Sequence, residues 1–168
     1  MKPNAINYLS LAKKAGRIEI GEESAGAAAR ACHARLLLVA KDAPDGALRR
    51  ARNFVAGSGQ QLAVVPFSKE ELGAALGKSV VSLAAITDPA LALAFLQALE
   101  DPQRYEGALE DLANRTKRVR QRQLEEKAHQ KNLQRGKRRR QPGGPAGHHK
   151  AGPGTPFAQS KRQAKPAV

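Results

Sequence analysis

The sequence predicts an α/β protein: a three-layer α/β/α sandwich built on a small four-stranded sheet, largely parallel or mixed, followed by a basic, mostly disordered tail. Three observations predict it. Short apolar runs recur between stretches of helical spacing, the pattern of a sheet covered on both faces. Leu, Ile, Val and Phe number 27 in residues 1–100 but 7 in residues 101–168, so only the first segment can offset its ordering entropy by apolar burial. Lys and Arg outnumber Asp and Glu by 12 to 9 in the first segment and by 17 to 6 in the second, which places +11 of the net +14 after residue 100.

The elements follow in order. Ile6, Leu9 and Ala12 fall at helical spacing after Pro3 and Asn4, with Lys13 and Lys14 in the last turn and Gly16 suited to a left-handed exit, so a first helix spans about 4–15. Ile18 and Ile20 alternate around Glu19 as in a short strand. Gly21 breaks that pattern, Glu22 and Glu23 suit the positive end of a helix dipole, and the alanine-rich run behind them predicts a second helix over about 22–32. The unbroken run Leu36 to Ala40 reads as a central strand buried on both faces.

Asp42 and Pro44 mark the start of a third helix, with Leu48, Ala51, Phe54 and Val55 on one face and Gly57 and Gly59 beyond its end. Leu62 to Val65 form the next strand. Ser68 and Glu71 have capping-box spacing for a short fourth helix that Gly77 closes. Val80 to Ile86 reads as the last strand, and Thr87, Asp88 and Pro89 start a helix over about 89–100. The domain division expected is a folded region 1–100, a charged extension 101–135 that is helical only in solvated form or on binding, and a disordered, basic Gly/Pro-rich tail 136–168.

Composition excludes several function classes. No apolar run approaches the roughly 20 residues that span a bilayer, and the N-terminus lacks a secretory pattern, so the expectation is a cytoplasmic protein with no membrane partner. Cys32 is the single cysteine, which rules out an intramolecular disulfide or a multi-cysteine zinc site. Cys32 and His33 are adjacent and point in different directions on a helix, with no third group to orient the imidazole. His148 and His149 lie in a Gly/Pro-rich stretch without a preformed metal site. Gly57-Ser58-Gly59 lacks the rest of a dinucleotide fingerprint, and no Walker-type motif occurs. The sequence thus predicts no catalytic residue, no metal, no cofactor and no small-molecule substrate. A strongly cationic extension instead calls for an anionic partner, and counterion release makes nucleic acid the fitting one.

Three stretches carry a resemblance: 11–30 (LAKKAGRIEIGEESAGAAAR), 36–42 (LLLVAKD) and 72–88 (LGAALGKSVVSLAAITD). Together, over about 4–99, they make the chain resemble a bacterial member of the ribosomal protein L-seven-Ae/L-thirty-e family, whose members often bind kink-turn RNA. That resemblance implies an RNA surface on Gly21, Glu22, Glu23 and Ser24, on Lys41 and Asp42, and on Gly77, Lys78, Val80, Val81, Ser82 and Leu83. A helix start offers N–H groups to phosphate, a glycine lets RNA approach, Lys41 can meet phosphate, and Val80 with Val81 can face an unstacked nucleotide. Ala27 stands where the family's motif has lysine, and Arg30, one turn later, is the cation carried over in its place.

The function so implied is that of a non-enzymatic, ribosomal-protein-like binder of structured RNA, kink-turn or looped, ribosomal or otherwise noncoding, with the ribosome as the assembly it would join. In the alternative, which Ala27 motivates, the domain is a protein-interaction module and the basic tail alone acts as a loosely selective RNA chaperone or ribosome-assembly aid.

Overall fold

The structure, a computed structural model, describes residues 2–139. The expectations for the tail beyond them, its disorder and the His148-His149 pair, lie outside the described residues. In chain order the elements are α1 (Lys2–Lys14), β1 (Ile18–Ile20), α2 (Glu22–Arg30), β2 (Leu36–Ala40), α3 (Asp45–Val55), β3 (Gln61–Val65), α4 (Lys69–Leu76), β4 (Leu83–Ile86), α5 (Pro89–Ala98) and α6 (Glu106–Arg139).

The four strands lie in the order β1-β4-β2-β3. β2 and β3 are parallel, with Leu37 opposite Leu62, whereas β4 runs antiparallel to both β1 and β2, with Ile86 opposite Ile18 and Leu36. The sheet is therefore mixed. The cause lies in the chain between β3 and β4. Ser68 caps α4 in a full capping box with Glu71, and Gly77 closes the helix in the left-handed conformation. The backbone then doubles back along the helix: the Lys78 N–H donates to the Gly73 carbonyl at 2.8 Å and the Val81 N–H to the Lys69 carbonyl at 3.0 Å. β4 consequently starts at the sheet end where β3 stops, so it can only run the other way. This return also occupies residues 80–82, so the strand is shorter than the apolar run predicts.

A glycine permits the return path. A Cβ at Gly73 would lie 2.6 Å from the Lys78 carbonyl oxygen and 2.7 Å from that of Ser79, both backbone atoms that cannot swing aside.

Alternation along β2 divides the core between the two faces of the sheet. Leu36, Leu38 and Ala40 belong to the larger cluster, with Leu9, Leu72, Leu76, Phe95 and Leu96 from α1, α4 and α5. Leu37 and Val39 belong to the smaller one, with Ala25, Ala29 and Ala51 from α2 and α3. The α/β/α layering follows from that division.

The core does not end at residue 100. Tyr105, Ala108 and Leu112 are buried in the larger cluster. The Tyr105 hydroxyl donates to the Val64 carbonyl at 2.7 Å, Gln61 Nε2 donates to Asp111 at 3.3 Å, and Arg115 bonds both Asp111 and the Gly59 carbonyl. These groups cover the outer edge of β3, which would otherwise offer unpaired backbone groups to another chain. A segment with few apolar residues cannot build a core, yet three of them suffice to dock on one already made. One compact unit accordingly spans 1–128, and 129–168 is a second. Within the second, residues 129–139 are helical and the side chains of 129–136 are exposed. Among the described residues no helix is long and apolar enough to cross a membrane.

Tyr105 gives a test of this docking. Burial raises its pKa above the usual 10.0, with Asp101 adding to the rise and Arg104 opposing it. Tyr105→Phe leaves the Val64 carbonyl without its donor and should cost about 1–3 kcal/mol, seen as a lower urea midpoint at an unchanged slope. Because the folded-state pKa is the raised one, the wild type keeps this contribution below pH 10 and loses it as pH rises towards the folded value. The gap between wild type and variant should narrow there; a midpoint equal to wild type at pH 7 would show the bond contributes nothing.

Candidate nucleic-acid interface

β1, β2 and β3 all run towards the same end of the sheet, and β4 starts there, so residues 21–24, 41–42 and 80–83 meet at that end, whereas Gly77 and Lys78 lie at the far end of α4, about 12 Å along that helix. A series of hydrogen bonds joins the segments that meet. Gly21 N–H donates to the Leu83 carbonyl at 3.0 Å, Ala40 N–H to the Ser82 carbonyl at 3.0 Å, and Lys41 N–H to the Phe67 carbonyl at 2.9 Å. Asp42 Oδ1 accepts from the Lys69 N–H at 2.8 Å. Each turn is thereby tied to its neighbour.

Gly21 has φ +98° and ψ 162°, a region open essentially to glycine alone. A Cβ there would meet no atom within 4 Å, so the position is open towards solvent and its constraint is conformational rather than steric. Behind it, the Glu22 carboxylate is paired with Arg50 of α3, with Nη2 to Oε2 at 3.0 Å, while Glu23 and Ser24 are exposed. Ala27 is exposed as well. Arg30 sits in the last turn of α2, about 13 Å along the helix from Gly21, with its guanidinium 5.7 Å from the Phe54 ring centroid.

The other two segments divide in the same way between braces and exposed groups. Lys41 is exposed, its Nζ 3.9 Å from Glu71 Oε2, whereas Asp42 is spent on the first turn of α4. Gly77, Lys78 and Val80 are exposed, Val80 to 53%. Ser82 is half-buried, and Val81 and Leu83 are core residues at 3% and 0% exposure. The Val80–Val81 pair expected to face a nucleotide is thus a single exposed valine, because consecutive extended residues point to opposite sides. The side chains of Val81 and Leu83 face away from any ligand at this end.

Helices α2, α3 and α4 all start here, and each carries acids in its first turn: Glu22 and Glu23, Asp45, Glu70 and Glu71. These offset the positive dipole ends. What remains outward is a mixed set: the Glu23 carboxylate, the Ser24 hydroxyl, the Lys41 ammonium group and the Val80 methyls. A carboxylate accepts from a guanine edge, ammonium groups meet phosphate, and an exposed aliphatic group packs on a base that has left its stack.

The fold recurs in an RNA-binding protein. A Giardia lamblia 15.5 kDa RNA binding protein superposes with a TM-score of 0.51 at 21% identity, over 65% of this chain and 87% of that one. A Bacillus halodurans protein of unknown function superposes with a TM-score of 0.55 at 19% identity, over 60% of this chain and all of that one. At such identities the likeness is one of fold. No protein-family model matches the chain, and no curated protein matches it.

Three residues that position these segments are invisible to a sequence reading of the site. Arg50 holds Glu22 from the next helix, Gly73 admits the returning loop, and Lys13 of α1 lies beside Gly77, where its ammonium group faces the negative end of α4. Only Lys13 had a signal, as one of the two lysines in the last turn of the first helix, and that signal does not specify a partner helix.

Proposed function

We propose that the chain is a non-enzymatic RNA-binding protein that takes a kinked or looped segment of a ribosomal or other noncoding RNA in the cytoplasm. One observation carries this reading: three chain segments far apart in sequence are bonded into one sheet end that presents a carboxylate, an ammonium group and an aliphatic group together. In this reading Glu23 and Ser24 meet base edges, Lys41 meets phosphate, Val80 packs on an unstacked base, and Gly21 lets the RNA close on the backbone. The likeness of fold to an RNA-binding protein supports it. Recognition here is by shape, so a kink-turn RNA whose sheared G·A pairs are changed to Watson–Crick pairs should bind the full chain at least about fivefold more weakly, as loss of one or two base contacts of about 1–3 kcal/mol each implies. Equal affinity for the two RNAs at moderate salt would reject the shape-specific part.

A second reading has its own support. Ala27 is exposed where the family motif has lysine, and Glu22 and Asp42 are both engaged inside the protein, which leaves few groups for RNA. The sheet end would then receive a protein, and the basic extension would act as an RNA chaperone or assembly aid. Under this reading, substitution of Lys41 leaves RNA affinity unchanged.

A further inference from the structure

α6 leaves the domain at the end of the sheet opposite the candidate interface. Tyr105 bonds Val64, Asp111 bonds Gln61, and Arg115 bonds Gly59, so the helix runs antiparallel to β3 and away from Gly21, Lys41 and Val80. The sheet alone separates the two ends by about 16 Å. Whatever α6 holds is therefore a different stretch of partner.

The helix also changes character on one side. At 100° per residue, Leu109 and Ala113 share a sector with Lys117, Arg120, Leu124 and Lys127. Leu109 and Ala113 are half-buried against the domain, whereas Lys117, Arg120, Leu124 and Lys127 are exposed. The three cations fall within about 80° of one another and extend over about 15 Å of helix axis, with no carboxylate in the sector from 117 to 128. Among the described residues none of the three is paired with an acid. Arg118 and Arg122 occupy another side, shared with Asp111, Glu125 and Glu126, where Arg115 already bonds Asp111 and Gln121 bonds Glu125. The cations of α6 are thus sorted into one acid-free stripe and one mixed face.

A helix with an acid-free cationic stripe and no aromatic residue on it has the chemistry to follow a phosphate backbone, and none to read unstacked bases. We infer that Lys117, Arg120 and Lys127 form a second RNA contact that lies along the backbone of a duplex segment flanking the RNA held at the other end of the sheet. The RNA class rests on the proposed function; the stripe itself rests on the geometry of α6. The two contacts act as a tethered pair, so an RNA long enough to reach both binds more tightly than either segment alone.

The test compares two double variants of the full chain that remove the same charge. Arg120→Gln with Lys127→Gln strips the stripe, and Arg118→Gln with Arg122→Gln strips the mixed face; glutamine keeps the helix, which far-ultraviolet circular dichroism verifies. The probe is a plain RNA duplex of about 16 base pairs, a length that a duplex-binding domain covers, titrated from 50 to 200 mM salt. The stripe variant should lower the slope of log affinity against log salt by nearly 2, from about 0.9 for each lost phosphate contact, and the mixed-face variant by less than half of that. Equal changes in the two variants, or none in either, would overturn the assignment. A short kink-turn hairpin separates this outcome from a failure of the sheet-end reading. Stripe substitutions leave its binding unchanged, whereas Gly21→Val removes it without altering the duplex slope.

Discussion

Leu37→Asp should abolish the cooperative thermal transition of the protein. Leu37 is wholly buried at the centre of β2, opposite Leu62 on one side and Ala85 on the other, and packed in the cluster formed with α2 and α3. The substitution removes a leucine worth about 2–5 kcal/mol in such a site. It also leaves an unpaired carboxylate in an apolar layer of Ala25, Ala29, Val39, Ala51, Leu83 and Ala85, at a cost of several kcal/mol more. The sum is comparable to the roughly 5–15 kcal/mol that holds a domain of this size together. A far-ultraviolet circular dichroism melt with a sharp transition within a few degrees of wild type would show that the side chain has another environment.

Gly21→Val should remove binding of bent RNA and lower stability at the same time. With φ at +98° the position is one that a β-branched residue does not adopt, and forcing it costs about 1–3 kcal/mol. The Gly21 N–H also donates to the Leu83 carbonyl, so relief of the strain by rotation would break the bond that ties α2 to the start of β4. Either way Glu23 and Ser24 lose their place relative to Lys41 and Val80. A thermal shift of several degrees downwards together with loss of binding to the kink-turn RNA is the expected pair of results. A variant that melts lower yet binds equally well would detach this glycine from RNA recognition.

Local chemistry made much of the fold legible. The capping box of Ser68 and Glu71, the Asp88 side chain accepting from the N–H groups of Ala90 and Leu91, and Pro89 at the start of α5 all stand where residue spacing puts them, because each interaction spans three residues or fewer. The run Leu36 to Ala40 is buried throughout, since an uninterrupted apolar pentapeptide has no face to give to water. Asp42 shows where such reasoning stops. Beside Pro44 it reads as the cap of the helix that follows, but its carboxylate goes to the first N–H of α4, 27 residues on. Val80 and Val81 look alike in sequence, and only the return of the chain along α4 exposes one and buries the other.

The site follows the same rule. Which residue types could meet RNA is readable from their chemistry: Glu23 as acceptor, Lys41 and Lys78 as cations, Gly21 as a position without a side chain. Whether each is available depends on partners that folding brings from elsewhere, such as Arg50 beside Glu22 and Phe54 beneath Arg30.

Element type, the strand in the centre and the concentration of positive charge after residue 100 were legible from the residues alone, because helix caps, apolar period and charge are properties of neighbours along the chain. The direction of β4, the docking of Tyr105 and Leu112, and the meeting of the three segments at one sheet end depend on contacts between residues far apart. Those contacts are chosen by which backbone groups and apolar faces remain unpaired once the local elements have formed, and no stretch of a single element contains that information.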